Sequence, residues 1–503
     1  MNEMPSSQAM QDAGEGHVDV LIIGAGLSGI DAGYHMQQRH PDKSFVLLER
    51  KDSFGGTWHT HRFPGIRSDS DLFTFGFSWK PWTGPEIASA EEILAYLGEA
   101  IAETGLDQHI RYGVHVSSAE WDSARGVWTL EIEQAGVARQ MTCGFLWFCG
   151  GYFDHDQGHM PSWSGMEDFA GPIIHPQNWP DDLDYDGKRV VVIGSGATAA
   201  TLIPAMAGKA AHVTMLQRSP TYFYARPKTD EFNETLKALD LPDEWFHEIM
   251  RRKMLHMQQT LIRRSEEEPD ALAAEFVMGA KAYLGRSYDV KAHFTPRYAP
   301  WKQRVAVIPD GDMFRAIAKG QASVVTDTID RFVPKGIQLA SGEVLAADIV
   351  VAATGLTLTA LGGITLSVDG APVAPSECVT HQGIMLSGVP NFAMVFGYLR
   401  SSWTLRADLV SDYLCRMFDH MAEQQARVVT PTLGEAEAGM ALRPWIDPEN
   451  FNAGYIMRAL AILPKQGDHE PWVMTQDYFT DRETLPAVDF EDGSLAFRRG
   501  MAT

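Results

Sequence analysis

In VDVLIIGAGLSGIDAGYHMQQRH, residues 18–40, two structural periods meet within a few positions. The apolar opening, up to Ile23, reads as a buried strand. The part beyond Gly29 reads as a helix, which Pro41 ends. Between them stands G-x-G-x-x-G. Gly24 permits a tight turn, Gly26 lets the backbone approach a pyrophosphate, and Gly29 lets helix and strand pack closely with the helix N-terminus facing negative charge. FVLLE then supplies the next strand, ending on Glu49. A glycine trio alone is common. With strand, helix and terminal acid all in place, it points to a nucleotide.

The same pattern returns in RVVVIGSGATAATLIPAMAGKAAHVTMLQRSP, residues 189–220, with Gly194, Gly196 and a small Ala199 at the third position. The two units differ at the end of their second strand. Glu49 can accept both ribose hydroxyls and repels a 2′-phosphate, whereas Arg218 can pair with one and Ser219 adds a hydroxyl. The first site therefore reads as FAD and the second as NADPH. The fold class is α/β: two Rossmann-like dinucleotide-binding domains, with electrons passing between their cofactors.

At 503 residues the chain exceeds one ordinary core. A composition of 45% hydrophobic and 21% charged residues is that of a globular protein, and a net charge of −23 argues against a nucleic-acid partner. Four cysteines, Cys143, Cys149, Cys378 and Cys415, are too few for a disulfide framework. The start of the chain lacks the pattern of a signal peptide, and no window is apolar enough for an integral membrane segment, so the expected location is cytoplasmic, with a frayed polar N-terminus.

Strand-like runs after each unit, RYGVHVSSAEW to MTCGFLWFCGG and SVVTDTIDRF to ADIVVAATG, form a weak repeat. The expected division is residues 1–152, first part of the FAD domain; 153–225, linker and first part of the NADP domain; 226–303, a helical insert; 304–384, second part of the NADP domain; and 385–503, the return to the FAD domain. In the insert, Met250, Met254, Met257 and Leu261 stand at helical spacing, which reads as packing, with the helices covering the second domain. FAGPIIHPQNWP, residues 169–180, fits neither helix nor strand periodicity.

That connector carries the resemblance. Phe169, Gly171, His175, Trp179 and Pro180 match F-x-G-x-x-x-H-x-x-x-W-P, the fingerprint of Baeyer–Villiger monooxygenases. Stretches such as GGTWHTHRFPGIRSDSDLFTFGF, HFTPRYAPWKQR and SSWTLRADL most resemble the ethionamide-activating subgroup. The resemblance implies insertion of oxygen from O2 beside a ketone carbonyl, through a flavin C4a-peroxide, to give an ester or lactone, with sulfides as further substrates. It implies that Ser28, Gly56, Thr57, Trp58, Asp69 and the backbone near Val116 line FAD, and that Arg67, Ser195 and Thr198 join Arg218 and Ser219 around NADP. It also implies Arg304 as the fixed charge of catalysis, oriented by Asp69, with His175 structural rather than acid–base. Gln303 departs from the lysine of many larger relatives. The rivals are an N- or S-oxygenase without ketone activity, a non-catalytic flavin-bound sensor, and a disulfide reductase, for which Cys143 and Cys149 form a poor redox pair.

Overall fold

The computed structural model describes residues 16–229 and 231–499. The expected frayed start, apart from Gly16, lies outside the described residues. Among those residues, nine strands form a first sheet. Its parallel part runs Ile110–Tyr112, Phe45–Glu49, His17–Ile23 and the C-terminal half of Val137–Phe148, with Phe392–Met394 beside the last. The antiparallel strands Val127–Gln134 and Val114–Asp122 continue it. Both faces of the parallel part are covered, so Val20 to Ile23 and Phe45 to Leu48 are buried without alternation.

The second sheet is parallel throughout, in the order Ala322–Thr326, His212–Gln217, Arg189–Ile193, Ile349–Ala352 and Ile173–Ile174. Helices Ala197–Met206 and Asp312–Ala318 cover one face. A three-stranded antiparallel ribbon, residues 329–346, packs Phe332, Ile337 and Leu339 against the other.

Three expectations are corrected. Thr365–Val368 and Ala371–Val373 already belong to the first sheet, so the chain returns to it about twenty residues before the expected 384/385 boundary. The long helix Asp243–Glu267 packs chiefly on the first domain: with its own Phe246 it buries Met250 and Met254 against Phe73 and Phe77, while Leu261 near its end packs with Tyr222 and Val305. The following helices, Pro269–Leu284 and Val290–Phe294, pack on the second domain. Methionine spacing fixes which helix face is apolar, not which surface receives it. The connector, finally, does contain a strand: Ile173 and Ile174 pair with Val350 and Val351 at the sheet edge.

His175 clamps the crossing between the domains. Phe153–Gly158 and Leu356–Leu358 run antiparallel as a two-stranded ribbon. His175 Nε2 donates to the Gly355 carbonyl at 3.0 Å while Nδ1 accepts from Gln177 N at 3.2 Å. A Cβ on Gly158 would stand 2.0 Å from the His175 ring, so only glycine leaves room for the imidazole. Both ring nitrogens are engaged, and burial lowers the pKa, so the ring is neutral and occupied.

A strap, residues 61–69, ties the domains a second time. Phe63 is buried in the second core. Gly65 lies so close to the helix Ala197–Met206 that a Cβ would meet Ala205 at 2.6 Å. Arg67 pairs with Asp312 at the start of Asp312–Ala318, and Asp69 pairs with Arg304.

Candidate active site

A cavity of about 440 Å³ opens at the C-terminal ends of the parallel strands of the first sheet. Gly24, Gly26, Ser28 and Glu49 line it from the first nucleotide unit, Gly56, Thr57 and Trp58 from the start of the short helix Thr57–Thr60, and Val116 from the strand Val114–Asp122. Gly24 has φ +101°, and a Cβ there would stand 2.8 Å from the Cys149 carbonyl oxygen. Gly29 does not line the cavity: a Cβ there would fall 1.9 Å from Gly24 O, so its bareness is what lets the helix start against the strand end. Gly56 approaches Gly26, and Gly55 N donates to Ala25 O at 2.9 Å, so a second glycine loop rests on the first.

Glu49 is held before any ligand arrives. Its carboxylate accepts from Ala25 N and Lys51 N, each at 2.8 Å. Helix Leu27–Arg39 begins with no side-chain cap and no acid in its first turn, leaving its N–H groups and positive end turned to the cavity. Trp403 Nε1 donates to Ser28 Oγ at 2.7 Å, and its ring stacks on Tyr152 at 5.1 Å. Trp403, Tyr152 and Gly55 line the cavity without having been expected there, although the sequence places Tyr152 just after the glycine pair that ends a strand.

The second unit repeats the geometry. Gly194 has φ +126°, and a Cβ would meet Ala353 O at 2.2 Å; Ala199 is fully buried; a Cβ on Gly196 would meet nothing within 4 Å. Helix Ala197–Met206 also lacks a side-chain cap and first-turn acid, and Thr198 sits half-buried in that turn. Ser195 Oγ is 2.7 Å from Thr221 Oγ1, a partner the sequence did not signal. Arg218 and Ser219 are exposed just beyond the strand His212–Gln217, and Arg218 makes no ion pair among the described residues. Arg67, expected beside NADP, is engaged with Asp312, Nη1 to Oδ2 at 2.5 Å.

Arg304 and Asp69, 235 positions apart, form a two-pronged pair with Nε–Oδ2 and Nη2–Oδ1 both at 2.7 Å. Arg304 Nη1 also donates to Leu399 O at 3.3 Å. The side chains stay 34% and 26% exposed, so solvent and small molecules reach them. Burial opposes the Arg304 charge, but Asp69 outweighs it and holds the guanidinium above its usual range. Asp69 itself does not line the first cavity. The link is Tyr152, which lines it and, together with Tyr455, feels the Arg304 charge. Burial pushes both phenols up, so they remain protonated at neutral pH. Cys143 and Cys149 are free and belong to cores on opposite sides of the first sheet, which leaves no dithiol there.

The family models that match are "Flavin-binding monooxygenase-like" over residues 75–258 and "NAD(P)-binding Rossmann-like domain" over residues 22–88. The FAD-containing monooxygenase EthA of Mycolicibacterium smegmatis is 46% identical over 488 residues, covering 97% of this chain and 98% of its own. The probable FAD-binding monooxygenase AlmA of an Acinetobacter species is 44% identical over 497 residues, with 97% and 98% covered. Among solved structures, an oxidised steroid monooxygenase bound to NADP superposes with TM-score 0.75 at 19% identity, covering 96% of this chain and all of the other. An open form of cyclohexanone monooxygenase gives 0.73 at 19% identity, with the same coverage. The solved structures share the two-domain architecture. The relatives match in sequence from end to end, and the chain belongs to the family of FAD-containing monooxygenases.

Proposed function

We propose that the chain is a Baeyer–Villiger monooxygenase that binds FAD in the first unit and NADPH in the second, converts a ketone to an ester or lactone with one oxygen atom from O2, and also oxidises sulfides. The Arg304–Asp69 pair carries the reading.

The first cavity suits FAD. Its floor is bare backbone at Gly24, Gly26 and Gly56, uncapped helix N–H groups face the space meant for a pyrophosphate, and Glu49 is already aimed by two N–H groups. Arg218 and Ser219 stand free for the 2′-phosphate at the second unit. FAD, reduced by NADPH, supplies the activation of O2. The chain's own residues do the rest. Migration of a carbon from the carbonyl carbon to oxygen, which breaks the carbon–carbon bond and makes the ester carbon–oxygen bond, passes through a tetrahedral species with negative oxygen that a fixed cation stabilises. Arg304 supplies a cation that does not lose its proton, and the two bonds from Asp69 fix its plane. Tyr152 and Trp403 wall the cavity and exclude water from that side. Four buried, unpaired thiols suit the reducing cytoplasm.

The test is product analysis under labelled O2 with NADPH, offering one ketone and one sulfide. Ester carrying one labelled oxygen is expected. Sulfoxide alone, with the ketone recovered unchanged, moves the chain to the N- or S-oxygenases.

A further inference from the structure

A second cavity, of about 680 Å³, lies between the helix Asp243–Glu267 and the C-terminal segment 443–479. Its inner end is Leu399, which is buried, accepts from Arg304 through its carbonyl and donates its N–H to Gln476 at 2.9 Å. The cavity therefore stops one residue short of Arg304. Asn452, next in the chain to the lining residue Phe451, donates its N–H to Lys302 O at 2.8 Å, two positions before Arg304.

The two walls differ. Trp445, Ile446, Phe451 and Met474 make one wall apolar and buried. The other is a helix face: His256, Gln259, Thr260 and Arg263 recur at three- and four-residue spacing.

The lining polar groups also differ in what they have left to offer. Asp447 accepts from Glu449 N and Asn450 Nδ2; Asp477 accepts from Phe479 N, Thr480 N and Thr480 Oγ1; Glu266 pairs with Arg400 at 2.9 Å. The acids are thus bonded within the protein. Among the described residues, the side chains of His256, Gln259, Thr260 and Arg443 make no hydrogen bond or ion pair, and Arg263 comes only within 3.9 Å of Glu267. Arg443 lines the cavity and is exposed, whereas Leu399 is buried. Unspent donors and a free guanidinium at the mouth, with apolar surface inward, complement an anion carried on an apolar chain.

We propose that this second cavity is the substrate chamber and that it selects an amphiphile: a ketone on an aliphatic chain ending in a carboxylate, with the ketone toward Leu399 and Arg304 and the carboxylate at Arg443. The assignment rests on the ketone-oxidising reading above and adds the substrate class.

Binding to the FAD-loaded enzyme without NADPH tests it, since no turnover then occurs. Calorimetry compares 10-oxoundecanoate, its methyl ester and 2-undecanone. The keto acid should bind about tenfold tighter than its ester, as one charge-assisted contact provides. Arg443→Ala should bring that ratio close to one, and Thr260→Trp, which fills the cavity from the helix side, should weaken all three ligands. A ratio of one in the wild type, a ratio unchanged in Arg443→Ala, or wild-type binding by Thr260→Trp each overturns the assignment. If the keto acid binds as described but yields no ester once NADPH and O2 are added, the ketone-oxidising reading fails instead.

Discussion

Replacing Arg304 by alanine removes two 2.7 Å bonds to Asp69, a longer one to Leu399 O, and the positive charge that the pair presents toward Tyr152 and Tyr455. Two effects separate by size. Asp69 is left without its partner, which costs about 1–3 kcal/mol of stability for a buried group and the lower part of that range here, because a quarter of Asp69 is exposed. Loss of a preorganised charge at a developing oxyanion costs about 3–4 kcal/mol of barrier, a factor on the order of 10² to 10³ in rate. The variant should therefore fold, hold FAD and oxidise NADPH while ester formation falls by about that factor. Gas chromatography of the ester, flavin absorbance and NADPH consumption, measured together, check this. Arg304→Lys keeps a charge but cannot make the two-pronged contact, and it should recover only part of the loss. If Arg304→Ala makes ester within about threefold of wild type while KM for NADPH rises, Arg304 is a cofactor clamp and the mechanism is misassigned.

Gly29→Ala places a methyl 1.9 Å from Gly24 O and should cost about 3 kcal/mol or more, read as loss of bound flavin after purification. Arg218→Ala, at an exposed position, should leave melting unchanged but raise KM for NADPH and narrow its advantage over NADH; an unchanged ratio makes Arg218 a mere surface charge. Burial holds His61 and His155 at about 4, below the usual 6.5; His155 and His175 add to the effect at His61, and Lys51 and Arg50 at His155, where Asp154 and Asp156 oppose it. Their unfolded forms take up protons first, so stability is full above about pH 6.5 and declines as pH falls toward 4, by at most about 3 kcal/mol per ring. Melting of the flavin-loaded protein from pH 7.5 to 4.5 should show the decline. His61→Phe should flatten it, since His61 Nε2 has no hydrogen-bond partner to lose.

The two nucleotide units were legible because each depends on local chemistry: a buried strand, glycines of which Gly24, Gly29 and Gly194 stand where a Cβ would strike backbone, and a charge at the next strand end. The Arg304–Asp69 contact was reachable only through resemblance, since nothing local in PWKQR or RSDSD says that the two segments meet. Tyr455 and Thr221 were missed for the same reason. A tyrosine or threonine in a loop carries no period, and its role depends on where the tertiary fold brings it. The long insert shows the complementary limit. Met250 and Met254 of its stripe are buried as expected and face Phe73 and Phe77 of the first domain, while Met257 stays exposed, a choice made by the whole surface and not by the helix. Ile173–Ile174, only two residues long, lies below the length at which alternation can be recognised.

The strap of residues 61–69 bears on how this architecture can be cut and recombined. Phe63, Gly65, Arg67 and Asp69 belong to the first domain by chain position, yet each contacts the second. A chimera that exchanges the nucleotide-binding half of one relative for another at the ribbon Phe153–Gly158 therefore inherits a foreign docking surface for these four residues. The transplant boundary is consequently discontinuous: a grafted second half needs its own version of this nine-residue segment, or the charge at Arg304 loses its register even when every residue around it is native.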